Sequence, residues 1–146
     1  MTDGLRAIEV DQYYPHPPAL LWRTLTEPEL IAQWLMPNDF APQVGHRYTL
    51  RTSPVPATGF SGIIDCEVLE LVPERLLRIS WNGGGLESTV TWSLQAEGHG
   101  TRMLLRHEGF DPDDPNQLHT FRIMNGGWRS HVLRRLTDLL ARVSRD

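Results

Sequence analysis

The residues of this chain with chemistry to offer are six histidines, one cysteine and a group of aromatic side chains. His107 is the most informative of them. In "TRMLLRHEG" it lies in phase with Met103 and Leu105, so a strand there aims it at the core. An inward histidine can orient a ligand or pass a proton near neutral pH. The competing reading is a core histidine whose two ring nitrogens are satisfied by neighbours, as buried polar groups usually are. Cys66 falls on the inward face of "FSGIIDCEV", where a free thiol acts as a small hydrophobe unless a base lies beside it.

Other catalytic and metal chemistries find little support. His16, His46, His99, His107, His119 and His131 contain no H-E-x-x-H spacing, and one cysteine cannot form a thiolate cluster. "DPDDPN" is acidic but lacks the spacing and distal glutamate of a calcium loop. There is no G-x-S-x-G, no G-x-G-x-x-G and no phosphate loop. All 14 basic residues are arginine, which excludes a Schiff-base lysine and a phosphate-loop lysine. The expectation is no metal and no cofactor. If the protein is an enzyme, His107 is its acid–base residue.

A binding site is the stronger reading. Tyr48, Trp81, Trp92 and Trp128 all fall on inward positions, and such aromatics either line a pocket for a flat apolar ligand or fill a small core. Asn125 projects on the same side of its helix as Trp128 and offers a polar handle, or else bonds locally. The expected ligand-binding set is Tyr48, Trp81, Trp92, His107, Phe121, Asn125 and Trp128.

These side chains need elements to hold them. "AIEVDQYY" alternates and stops at "PHPP", a strand followed by a break. "PALLWRTL" then carries Leu21, Trp22 and Leu25 at helical spacing, with proline tolerated in the first turn. A second short helix buries Leu30, Ile31 and Trp34 and stops before Pro37, with Thr26 and Glu29 spaced as a capping box. From about Val44 to Phe110 the period is two. One face carries Tyr48, Leu50 and Thr52, then Phe60, Gly62, Ile64, Cys66 and Val68, then Leu77, Ile79 and Trp81. It continues with Ser88, Val90, Trp92 and Leu94, then Met103, Leu105 and His107. Five strands with short turns such as "NGGG" and "EGHG" read as an antiparallel meander. A helix from about Pro115 to Val143 places Phe121, Trp128, Val132, Leu136, Leu139, Leu140 and Val143 on one stripe. The element order is β-α-α-β-β-β-β-β-α. Gly126 and Gly127 beside Trp128 are expected to let this helix approach a neighbour closely, the alternative being a kink.

The 146 residues fit one domain, 1–146, with a net charge of -4 that argues against a nucleic-acid partner. No apolar run approaches the roughly 18 residues of a membrane span, and "MTDGLRAIEVDQ" lacks a signal-peptide core. The expectation is a cytoplasmic protein, monomer or homodimer, without membrane insertion.

"PPALLWRTLTEPELIAQWL", "GIIDCEVLELVPERLLRISW", "VTWSLQAEGHGTRMLLRHEGF" and "GGWRSHVLRRLTDLL", in that order, resemble the activator-of-Hsp90-ATPase C-terminal-like family of the START/Bet v 1-like superfamily. The resemblance covers nearly the whole chain. It implies an α+β helix-grip fold: a curved six-stranded antiparallel sheet wrapped around a long C-terminal helix, with two short helices after strand 1. It also implies an apolar cavity between sheet and helix. Three functions follow as expectations: binding a small apolar or amphipathic molecule or lipid, a cyclase/aromatase-like reaction in the same cavity, or protein interaction like that of the Hsp90 activator. Fold alone does not choose among them.

Overall fold

The computed structural model describes residues 7–54, 61–111 and 113–144, apart from the side chains of residues 131–133. Phe60 and Val132, both expected to face inward, therefore lie outside what is described. The order is β1 (Ala7–Tyr14), α1 (Pro18–Thr26), α2 (Pro28–Trp34), β2 (Arg47–Arg51), β3 (Ile63–Val72), β4 (Leu76–Gly83), β5 (Leu86–Glu97) and β6 (Gly100–Glu108). A C-terminal helical rod follows: α3 (Pro115–Ser130), a π-helical turn (His131–Leu136) and α4 (Thr137–Val143).

The six strands form one antiparallel sheet in the order β1-β6-β5-β4-β3-β2. Strands β2 to β6 are the expected meander. β1 sits at the far edge from β2, so the chain between them must cross the sheet, and α1 and α2 make that crossing. A two-residue turn fixes the register of the β4–β5 hairpin. Gly83 pairs with Leu86, and the intervening Gly84 and Gly85 take φ of 61° and 84°. Two successive left-handed residues define the turn whose twist suits a hairpin, and glycine adopts them without steric cost.

The period-two pattern is obeyed. Leu50, Ile64, Val68, Ile79, Val90, Met103 and Leu105 are all buried in one cluster with the buried residues of the helices. Thr52 lies beyond the end of β2 and is exposed. Each sheet edge meets neighbouring chain at particular positions. At the β2 edge Arg51 N donates to Pro37 O and Thr49 N to Asp39 Oδ1. At the β1 edge Arg129 of α3 donates to Glu9 O.

Three expectations about the helices change. The capping box is not formed: α2 is capped at Glu27 without a side-chain bond, and the Thr26 hydroxyl donates backward to Trp22 O. Thr26 is the last residue of α1, and the short step between the helices gives its hydroxyl a carbonyl four residues back. The C-terminal helix is not uniformly α, because a π-helical turn lies between α3 and α4. Gly126 and Gly127 do not mediate close packing: a Cβ built on either meets nothing within 4 Å. Nor do they break the helix, since α3 runs through both and the irregularity begins four residues later, at His131.

Candidate functional site

The inward faces of β4, β5 and β6 carry the polar and aromatic residues of interest because strand alternation aims Trp81, Ser88, Trp92 and His107 to one side. From the opposite side α3 supplies Phe121 and Trp128, seven residues apart and hence on one helix face. These groups meet. The Trp81 ring lies 5.3 Å from His107 and 5.2 Å from Trp128, and Trp92 stands edge-on to Trp128 at 6.0 Å. Phe110, just past β6, lies 4.9 Å from His107 and 5.2 Å from Phe121. The separations and tilts are those preferred by aromatic pairs.

His107 is wholly buried at the centre of this cluster. Trp128 Nε1 donates to its Nδ1 at 2.9 Å. An indole N–H can only donate, so Nδ1 is unprotonated and the ring's proton sits on Nε2. His107 Nε2 then donates to Ser88 Oγ at 2.8 Å, and the Ser88 hydroxyl donates in turn to Trp81 O at 2.6 Å. Every donor in the relay has an acceptor. Its direction is the reverse of a nucleophilic serine–histidine pair, in which the imidazole takes the serine proton. Burial pushes the His107 imidazolium down to about 3, so the ring is neutral across the physiological range.

The other candidates separate. Tyr48, on β2, packs edge-on against Phe40 at 5.2 Å. Burial raises its hydroxyl well above the usual tyrosine range, with the Cys66 thiol beside it. Cys66 is itself buried and its thiol is pushed up to about 12. Asn125 is half-buried between Phe121 and Trp128 along α3. The stacked and hydrogen-bonded cluster therefore joins Trp81, Trp92, His107, Phe121 and Trp128, while Tyr48 meets this set at Trp92, with which it lines one small cavity. Sequence reasoning aligned Ser88 inward without pairing it to His107, because which neighbour a strand residue meets depends on inter-strand register. Phe110 was missed as part of this cluster because it follows the last in-phase strand residue. Gly109, with φ of 113°, turns the chain there.

The apolar cavity expected between the sheet and the C-terminal helix is not what the described residues form: a cavity of about 10 Å³ lies instead beneath α1 and α2, lined by Leu25, Ile31, Trp34, Leu35, Phe40, Tyr48, Leu50, Leu77, Ile79 and Trp92 and by no residue of the C-terminal rod. A wider groove of about 520 Å³ crosses the outer face of the sheet, between Glu9, Asp11, Arg78, Leu104, Arg106 and Glu108. Arg106 pairs there with Glu9 and Glu108, so much of its charge is internally matched. Among the described residues no three His, Cys, Asp or Glu side chains converge as a metal site would require. No helix of the described residues is long and apolar enough to cross a membrane.

A six-stranded antiparallel sheet closed over a C-terminal helix, with two short helices after the first strand, is the helix-grip architecture of the START/Bet v 1-like proteins. Within that class the chain belongs to the Activator of Hsp90 ATPase homolog 1-like family, whose model matches residues 15–141. Protein MLL2253 from Mesorhizobium loti is 36% identical, covering 94% of this chain and 98% of its own, with a TM-score of 0.83. CalU16 from Micromonospora echinospora is 24% identical over 92% of this chain and 75% of its own, with a TM-score of 0.73. The Aha1 dimer from Colwellia psychrerythraea is 18% identical over 92% of this chain and 95% of its own, also at 0.73. At these two lower identities the likeness is one of fold. No curated protein matched the chain.

Proposed function

We propose that the chain, acting as one domain, binds a small apolar or amphipathic molecule between its sheet and the helices that close over it. One observation carries this reading. The polar groups at the centre of the grip, Ser88, His107 and Trp128, satisfy one another, while the side chains around them are aromatic and aliphatic. Such an interior recognises shape and apolar surface and offers no free acid–base group, which favours binding over a cyclase-like reaction.

The cavity beneath α1 and α2, at about 10 Å³, is too small for a ligand of this class. Binding then requires α1 and α2 to move. Helices of nine and seven residues have little stability of their own. They are held by burial of Leu21, Leu25, Leu30 and Ile31 and by the Trp34 Nε1 bond to Thr24 O at 2.8 Å. The reading places the protein in the cytoplasm as a monomer or homodimer. The buried free thiol of Cys66 and the dimer of the Colwellia relative support those assignments.

Native mass spectrometry of freshly purified protein, with thermal melts against fatty acids and aromatic ketones, tests the proposal. A carried mass or a ligand-dependent rise in Tm is expected. No added mass and no shift with either class would remove the binding reading.

A further inference from the structure

The indole N–H of Trp92 stands out from the other buried polar groups. Trp34 Nε1 donates to Thr24 O, and Trp128 Nε1 donates to His107. Trp92 is 2% exposed, and its Nε1 is the one buried side-chain nitrogen or oxygen without a hydrogen-bond partner among the described residues. Leaving a buried donor unmet is a costly defect, and native proteins keep few of them. Trp92 also lines the cavity beneath α1 and α2. An orphan donor and a void therefore occur at the same side chain.

A buried water does not resolve the defect well. At about 10 Å³ the cavity is at the lower limit of about 10–15 Å³ for a single water, which needs two or more polar partners. The lining is mostly aliphatic and aromatic. The Trp34 N–H is already engaged, and the Tyr48 hydroxyl lies against Cys66. We infer that Trp92 Nε1 is the polar anchor of the ligand site: it donates to a neutral oxygen acceptor, a carbonyl or ether, on a flat apolar molecule that enters when α1 and α2 move aside.

The chemistry narrows the class. An indole N–H only donates, so the matching ligand atom is an acceptor. Surroundings of Leu25, Ile31, Leu77 and Ile79 penalise a buried charge, so a carboxylate is disfavoured against a ketone, ester or ether. Phe40, Trp34 and Trp92 offer ring surfaces to a flat body. This inference rests on the ligand-binding reading and adds the subsite and the acceptor to it.

The test uses two near-isosteric planar compounds, 2-acetylnaphthalene and 2-isopropenylnaphthalene, which differ by an oxygen in place of a methylene. Titrations are made with the wild-type protein and Trp92→Phe. The wild type is expected to prefer the ketone by about five- to tenfold, the scale of one net hydrogen bond. Trp92→Phe is expected to erase that preference while still binding the alkene. In wild-type protein labelled at the indole nitrogens, the Trp92 N–H resonance should move downfield on adding the ketone and not the alkene, a readout that does not depend on the variant folding. Equal affinity of the wild type for both compounds, a preference that survives Trp92→Phe, or a long-lived water cross-peak to the Trp92 N–H that the ketone does not displace would each overturn the anchor and leave ligand binding standing. Failure of the wild type to bind either compound or any other apolar ligand would overturn both.

Discussion

Trp128 Nε1 and His107 Nδ1, 21 residues apart in sequence, are joined by a buried 2.9 Å hydrogen bond that fixes the histidine tautomer. The consequence is thermodynamic. The folded state holds His107 neutral down to about pH 3, whereas an unfolded histidine takes up its proton near 6.5. Between those values the unfolded chain binds more protons, so stability falls as the pH drops through that window. The contribution of this one group has a limiting slope of about 1.4 kcal/mol per pH unit. Urea melts at pH 7, 6, 5 and 4 should show that loss. His107→Gln should be less stable at pH 7 but flatter with pH. Parallel pH curves for the two proteins would show that His107 does not carry the effect.

The direction of the relay makes a second prediction. Ser88→Ala leaves His107 Nε2–H without its acceptor, and Trp128→Phe leaves Nδ1 without its donor, so each should cost about 1–3 kcal/mol. Trp128→Ala should cost roughly 3–5 kcal/mol, because it also deletes a ring that is 2% exposed and packed on Trp81 and Trp92. Chemical denaturation read from Cm at constant m gives these differences. A Trp128→Phe variant as stable as wild type would mean the hydrogen bond contributes nothing net.

Much of this arrangement is legible in the sequence, for a definite reason. Period two and short turns place Trp81, Ser88, Trp92 and His107 on one sheet face, and the helical stripe places Phe121 and Trp128 opposite them. Those are local patterns. Which inward residues touch is set by register and by how far the helix stands from the sheet, and neither is local. Sequence reasoning accordingly held His107 as a candidate without finding Ser88 as its acceptor, and grouped Tyr48 with Trp81 and Trp128 although it shares a cavity only with Trp92. The π-helical turn carries no sequence mark of this kind, and the glycines drew attention to a position one turn too early.

Gly126 and Gly127 yield a third prediction. Both lie inside α3, and a Cβ at either meets nothing within 4 Å. With space free and helical φ, the backbone entropy of glycine is an uncompensated cost of about 0.5–1 kcal/mol per residue relative to alanine. Gly126→Ala and Gly127→Ala should each raise Tm by a few degrees and add roughly independently, the scale expected for a chain of this size. A fall in Tm for either variant would mean that the glycine serves a packing partner outside the described residues.

The last prediction concerns Cys66. Its thiol faces the core from β3 with Sγ 3.8 Å from Ile64 O, is 4% exposed, and is pushed up to about 12 by burial. The thiolate is the reactive form, so the native protein holds almost none of it near neutral pH and gives reagents little access to what it holds. Iodoacetamide should therefore label Cys66 slowly in the native protein and fast in urea. The native rate should track the fraction of molecules that open. The same measurement reports on motion near the cavity, because Tyr48 pairs with Cys66 across β2 and β3 and also lines the void. If ligand entry displaces α1 and α2, adding an apolar ketone that closes the occupied site should slow labelling below the ligand-free rate. Native labelling as fast as in urea would show that the thiol is neither buried nor raised, and that the core at β3 is open.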